Sequence, residues 1–346
     1  MNYQVRFCRR DERERLLDFL RRSWSSKHVF LSNPELLDWQ YLQRDRYNFV
    51  VAYHADSKEF HGVLGFISPT FFSKGRIFPD DDLWLSIWKV EKNNAESGSP
   101  GLEMLNFLRT NIPSRSLSAV GINSQVARLY RALGCHVGYM GHYYIRNVNT
   151  EEFRIARGQR IQTNAEKADQ RRSLPGGQLN FRELRHSEVQ TLTAQLPLDS
   201  RNRPGYLVAR FTDHPAYRYR FFSVEKEGSP EGLFVSRRIE VNGSSCLRIV
   251  DFVGLEGLSL SIEAAAQGLL KSEGAEYIDL MVAGMKHDQV RALGFVECDE
   301  ESYVPHLFEP FDSERKQVQY AVFDKLDILI LKGDSDLDRP NRPELL

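Results

Sequence analysis

The run Asn123-Ser124-Gln125-Val126-Ala127-Arg128-Leu129-Tyr130-Arg131-Ala132-Leu133-Gly134-Cys135 constrains the fold more than any other part of the chain. It specifies a helix, both of its ends and the start of a strand. Asn123 is a favoured N-cap, Val126, Leu129, Tyr130 and Leu133 recur at helical spacing on one face, and Gly134 supplies the left-handed residue that ends a helix. His136 to Asn147, rich in Tyr, Val and Ile, then reads as a strand. A tyrosine on the apolar side of such a helix is ordinarily a half-buried core residue whose hydroxyl reaches water.

Composition narrows the class. At 346 residues the chain has length for two domains, each with its own core. A formal net charge of -1, with 27% charged residues, sets up no global field for nucleic acid or an anionic membrane. The hydrophobic fraction is 41% and the mean hydropathy -0.45, and no apolar run approaches the ~18 residues that span a bilayer. Arg6, Arg9, Arg10, Asp11 and Glu12 near the start are foreign to a secretory signal, so a cytoplasmic protein without membrane insertion is expected. Cys8, Cys135, Cys246 and Cys298 lie far apart with no CxxC pair, which suggests neither a metal site nor a disulfide framework.

The first half reads as one ordered series. Tyr3 to Cys8 alternates as a strand, Arg9 to Arg22 carries Leu16, Leu17, Phe19 and Leu20 as a helical stripe, and Ser32-Asn33-Pro34 opens a second helix through Trp39 and Tyr41. Asn48 to Tyr53 and His61 to Pro69 form a hairpin, and Leu83 to Val90 alternates as a fourth strand. A loop rich in Gly, Ser and Asn, Glu91 to Pro100, leads to a helix over 101–111 and a fifth strand over Ser116 to Ile122.

This order, β-α-α-β-β-β-α-β-α-β, closed by Asn, two residues, a small apolar residue, Leu-Tyr, three residues and Gly, resembles the Gcn5-related N-acetyltransferase (GNAT) superfamily. The resemblance implies an α/β fold with a mixed, mainly antiparallel sheet that opens between the fourth and fifth strands. There acetyl-CoA or another acyl-CoA inserts its pantetheine arm beside backbone groups near Val90. It further implies that Tyr130 donates a proton to the departing thiolate. The phosphate loop is expected in Ala95-Glu96-Ser97-Gly98-Ser99-Pro100-Gly101. Gly98 and Pro100 take the family's glycine positions in one register and Ser99 and Gly101 in the other, and neither register supplies the usual Arg or Gln. Leu102 and Asn123 complete the expected cofactor contacts. Glu91, Asp81, Asp82 and His142 are candidate acceptors of the amine proton, with Glu91 the first choice and water an alternative.

Beyond residue 148 the character changes. Asn149 to Gly177 is polar, holds Arg154, Arg157, Arg160, Arg171 and Arg172, and reads as a solvated linker. From 178 the programme restarts. Strands are expected over Leu179 to Leu184, Arg220 to Val224, Gly232 to Val241, Cys246 to Val253 and Tyr277 to Val282, a helix over Ser261 to Ser272, and a terminal helix ending in Leu293-Gly294-Phe295. Val290 stands where Tyr130 stands in the first copy, so this second GNAT-like domain, 178–332, is expected to bind the acceptor and not to acylate. Asp251 interrupts an apolar strand and needs a partner such as Arg248, His214 or a ligand hydroxyl. Asp251 and His214 are the candidate substrate-binding residues. A strand over Leu326 to Leu331 precedes a tail, 333–346, whose aspartates lack the glycine and glutamate of a calcium loop.

The expected function is acyl-CoA-dependent N-acylation of a small amine. The resemblance extends to tandem GNAT-like proteins of bacterial surface-polysaccharide clusters, which implies an amino sugar or nucleotide-linked amino sugar as acceptor. The rival readings are a FemABX-like aminoacyl transferase, disfavoured by the absence of a basic surplus, and an inactive carbohydrate-binding or scaffold protein. Nothing in the sequence sets the oligomeric state.

Overall fold

A computed structural model describes residues 3–72, 81–91, 100–158, 161, 179–196, 205–258, 260–323 and 328–341. Two mixed sheets of eight strands organise them. The main path of the first runs Tyr3–Arg9, Arg46–His54, Glu59–Ile67, Asp82–Val90, Ser116–Ile122, Gln319–Phe323 and His136–Tyr139. The second repeats that plan as Leu179–Leu184, Arg220–Lys226, Ser229–Val241, Ser244–Val253, Tyr277–Ala283, Gly141–Arg146 and Val296–Glu297. In each the fourth and fifth strands are parallel and the other pairs on the path antiparallel.

The sixth position of each sheet is filled by the other half of the chain. Gln319–Phe323 lies between Ser116–Ile122 and His136–Tyr139, with Ala321 opposite both Ala119 and Val137. Gly141–Arg146 lies between Tyr277–Ala283 and Val296–Glu297, with Leu280 opposite Tyr143 and Val296 opposite Tyr144. The strand expected over His136 to Asn147 is therefore two strands in two sheets. They part at Met140, whose buried side chain sits at the crossing and whose N–H donates to the Val318 carbonyl at 2.9 Å. A boundary at residue 148 thus falls after a strand that belongs to the second sheet.

Alternation along Arg46–His54 sends Val50 and Ala52 to one face and Phe49 and Val51 to the other. Helix Pro100–Asn111 covers the first face with Met104, Leu105 and Leu108. Helices Arg13–Ser23 and Pro34–Tyr41 cover the second, the latter capped by Asn33, whose side chain accepts from Leu36 N at 3.0 Å, with Pro34 as first residue. This second core is common to both halves: Leu16, Phe19 and Trp84 belong to the same buried cluster as Val189, Tyr206, Phe211, Val235 and Val250.

Several expectations change. Leu129 is exposed, and the buried residues of helix Ser124–Ala132 are Ala127 and Tyr130. The described start of the expected linker is packed. Glu276 is buried and its carboxylate accepts the N–H groups of Arg154 (2.7 Å), Ile155 (2.9 Å) and Ala156 (3.0 Å), while Phe153, Ile155 and Ile161 join a buried cluster. Arg160, Arg171 and Arg172 lie outside the described residues. Of the strand expected over Leu326 to Leu331, Ile330–Leu331 is described as strand, and the tail after it is buried at Lys332, Asp334, Ser335 and Asp338.

The exchange makes a direct prediction. Residues 1–148 expressed alone lack the strand between Ser116–Ile122 and His136–Tyr139 and carry an unpaired Gly141–Arg146. They should be insoluble or lack cooperative thermal unfolding, whereas co-expression with 149–346 should yield a soluble complex with a circular dichroism melt like that of the intact chain.

Candidate active site

The parallel pair at the centre of the first sheet forms a fork. Pairing runs from Asp82 opposite Ser116 to Leu85 opposite Ala119 and stops there, although both strands continue. The bend comes from a bulge: Leu64 faces Trp88 and Phe66 faces Leu85, so Ser86 and Ile87 share one place in the ladder. Tyr41 donates to Ser86 Oγ at 2.8 Å and holds the bulge from the helical side. The closed end is pinned by carboxylates. Asp82 accepts from Arg115 Nη2 and Ser116 Oγ, each at 2.6 Å, and Asp81 accepts from Ser68 Oγ at 2.7 Å and Thr70 N at 2.8 Å. Asp81 and Asp82 are thus engaged in fixing the fork.

Past the bulge Trp88 and Val90 turn toward helices Pro100–Asn111 and Ser124–Ala132. Tyr130, only 2% exposed, packs against Trp88 with ring centroids 5.8 Å apart and edge-on to Phe323 at 5.7 Å. Phe323 comes from the exchanged strand, so the second half of the chain supplies part of the packing around Tyr130. Among the described residues the Tyr130 hydroxyl makes no hydrogen bond. Burial, with a smaller contribution from Cys135, raises its pKa well above the ordinary phenol value and keeps it protonated. Asn123 caps the helix, its side chain accepting from Val126 N at 2.9 Å, and Gly134 has the left-handed φ of +82°.

The other expected cofactor contacts divide. Gly98 and Ser99 lie outside the described residues. Gly101, in the first turn of Pro100–Asn111, packs toward Trp88 and Val90, and Leu102 is half-buried beside it. Glu91 is not brought to Tyr130. Its carboxylate accepts from Arg22 Nη1 and Ser23 Oγ, each at 2.9 Å, on the sheet face opposite Trp88 and Val90. His142 is in the second sheet, bonded to Asp279 at 2.9 Å.

In the second half the two substrate-binding candidates stand in different environments. Asp251 is fully buried, accepting from Phe252 N at 2.8 Å and from the Tyr206 hydroxyl at 3.4 Å. Arg248 is engaged by Asp279, with Nη2 2.6 Å from Oδ2. Burial opposes the charge of His142, but Cys298 and the bond to Asp279 outweigh it and lift its pKa to about 9. Asp279, despite burial, is held near about 2 by Arg248 and His142. His214 lies at the seam of the halves, stacked on Tyr217 at 5.2 Å and edge-on to Trp39 at 4.4 Å. Its Nδ1 accepts from Tyr217 N at 2.9 Å and Ala216 N at 3.1 Å, so the neutral ring carries its hydrogen on Nε2. Burial, reinforced by Arg210, lowers its pKa to about 3.

Sequence reasoning missed Trp88, Phe323 and the Arg248–Asp279–His142 cluster. The signals were present: Val318 to Phe323 is a short run rich in Tyr, Val and Phe, and Arg248 and Asp279 interrupt apolar strands at paired register positions.

No protein-family model matches the sequence, and no curated protein matches it. Among solved structures 161 chains match in fold. One is a GCN5-related N-acetyltransferase from Anabaena variabilis, with a TM-score of 0.52 and 12% identity over 92% of this chain and 72% of the other. Another, from Pyrococcus horikoshii and described as an acetyltransferase, has a TM-score of 0.47 and 15% identity over 97% and 96% of the two chains. The first of these likenesses shows a GNAT-like fold, whose strand plan is present twice in the chain. Among the described residues no group of His, Cys, Asp and Glu is arranged to hold a metal, and no helix is long and apolar enough to cross a membrane.

The state of His214 can be measured. Its folded pKa lies below the unfolded value of roughly 6.5, so its contribution to stability is full above that value and is lost as pH falls toward about 3. Between pH 7 and pH 5 the parent chain should lose on the order of 2 kcal/mol more stability in urea titrations than His214→Gln. Equal losses would show that His214 is not held neutral.

Proposed function

We propose that the first half of the chain binds an acyl-CoA in the fork past Leu85 and Ala119 and transfers the acyl group to a small amine. The observation that carries this reading is the pairing of that fork with a protonated Tyr130 hydroxyl that has no hydrogen-bond partner among the described residues and lies beside Trp88. The fork fits an extended arm: the edge of Ser86–Val90 that faces it pairs with no sheet strand among the described residues. Gly101 keeps the start of helix Pro100–Asn111 close to that edge. When bound, the acyl-CoA supplies the activated thioester. Tyr130 gives a hydrogen bond or proton to the departing sulfur, and its burial excludes competing water. The amine proton passes to solvent, since Glu91 is held by Arg22 on the opposite face.

For the acceptor we propose an amino sugar, free or nucleotide-linked, as in surface-polysaccharide synthesis. A hydroxyl-rich ligand such as a sugar is supported by half-buried His214 at the seam, whose Nε2–H is a donor fixed by the two bonds that its Nδ1 accepts.

Calorimetry with acetyl-CoA and with longer acyl-CoAs tests the central claim. Saturable binding is expected, and no binding of any acyl-CoA would leave a carbohydrate-binding or scaffold protein. Tyr130→Phe should lower kcat about tenfold or more with acyl-CoA affinity nearly unchanged; full activity in that variant removes Tyr130 from the chemistry.

A further inference from the structure

The second sheet has a fork of the same design, and the chain itself lies in it. Strands Ser244–Val253 and Tyr277–Ala283 pair in parallel only where Leu247 to Ile249 faces Ile278 to Leu280. Past that point one arm, Val282 and Ala283, pairs antiparallel with Leu331 and Ile330. On the other arm the Val250 carbonyl accepts the Gly333 N–H at 2.7 Å. A single short segment is therefore bonded to both arms, as an added strand would be. Its path admits only glycine at 333, where a Cβ would lie 2.7 Å from the Val250 oxygen and 3.0 Å from Phe211 Cζ. The segment is locked in place: the Asp334 carboxylate accepts from Leu331 N at 2.8 Å, and buried Arg210 donates to the carbonyls of Gly333 at 3.2 Å and Ser335 at 2.7 Å.

The same segment then crosses to the first fork. Ser335 Oγ donates at 3.1 Å to the carbonyl of Leu85, the last paired residue on one arm. Leu337 Cδ2 lies 3.0 Å from the place a Cβ on Gly121 would take, on the other arm. Beyond it Asp338 accepts from Arg237 at 2.9 Å and Tyr219 at 2.8 Å, and the Arg339 guanidinium sits over Phe30 at 5.0 Å.

We propose that Ile330 to Arg339 is an internal strap that fills the second fork in place of a thioester arm and braces the first at its branch point, where Leu85 and Gly121 diverge. The chain then carries a single acyl-CoA site, in its first half. The strap is ordered when the chain folds and is tethered at high effective concentration. A ligand entering the second fork must break its main-chain bonds and the buried Arg237–Asp338 pair. The stoichiometry rests on the acyl-CoA reading of the first fork; the strap itself does not.

Amide exchange and calorimetry on the intact chain separate the two. The amides of Leu331 and Gly333 should exchange roughly a hundredfold or more slower than in an unstructured peptide, with no change on saturation with acetyl-CoA, and titration should show one equivalent bound. Two equivalents, or loss of that protection when acetyl-CoA is added, overturns the proposal. If no acetyl-CoA binds, the acyl-CoA reading fails and the strap is judged by exchange alone, fast exchange overturning it. Gly333→Leu should raise exchange at Leu331 at least about tenfold; unchanged exchange in that variant also overturns the proposal, and if the variant does not fold the parent measurement decides.

Discussion

The reciprocal pairing of Gly141–Arg146 with Tyr277–Ala283 and of Gln319–Phe323 with Ser116–Ile122 is the constraint on which the rest depends. Six consecutive residues of the first half, Gly141 to Arg146, are in register with six of the second, Tyr277 to Val282. Neither half can keep its own hydrogen-bond ladder complete without the other, because an interior strand leaves two unpaired edges when withdrawn. The cluster that joins Phe19 and Trp84 to Tyr206 and Val250 seals the same junction with side chains. The packing of Tyr130 inherits this dependence, since Phe323 arrives by the exchanged strand.

Although the two halves share a strand plan, their central parallel pairs are used differently. The first is tied at its closed end by buried Asp82 with Arg115 and Ser116, and past the bulge it is aromatic at Trp88 and Tyr130. The second carries a fully buried ion cluster on the pair itself: Arg248 meets Asp279, which also holds His142 from the exchanged strand. Burying such charges is costly unless every partner is in place, and here Arg248 also donates to the carbonyls of His306 at 2.9 Å and Pro305 at 3.2 Å. That arrangement ties the exchanged strand to the loop over 305–306. Val290, at the position corresponding to Tyr130, is buried.

Much of the fold was legible because its elements are amphipathic at their own periods. The strands Ser116–Ile122 and Leu179–Leu184 fall where alternation puts them, and the Asn33 and Asn123 caps bond as their sequence positions imply. The exchange was not legible, because a run such as His136 to Asn147 alternates in the same way whether it lies in one sheet or passes between two. Gln319–Phe323 was overlooked for a related reason: a five-residue strand far from its neighbours in sequence has no local signal for where it docks. At the candidate site Tyr130 could be picked out from its helix and its glycine stop. Glu91 could not be judged, since its engagement with Arg22 depends on how a helix lies across a sheet. Asp251 was rightly expected to need a partner, but Tyr206 is distant in sequence and Arg248, the nearer choice, has a better match in Asp279.

The place of Gln319–Phe323 also bears on the order in which the molecule can be assembled during synthesis. The ribosome delivers Tyr3–Arg9 before the other strands of its sheet, yet that sheet waits for Gln319–Phe323. Until that strand emerges, Ser116–Ile122 and His136–Tyr139 face a gap one strand wide, and Gly141–Arg146 has no neighbour until Tyr277–Ala283 appears. The nascent first half therefore spends most of translation with open edges, the state in which β-rich chains aggregate or recruit chaperones. The first sheet can close only after Gln319–Phe323 has left the ribosome.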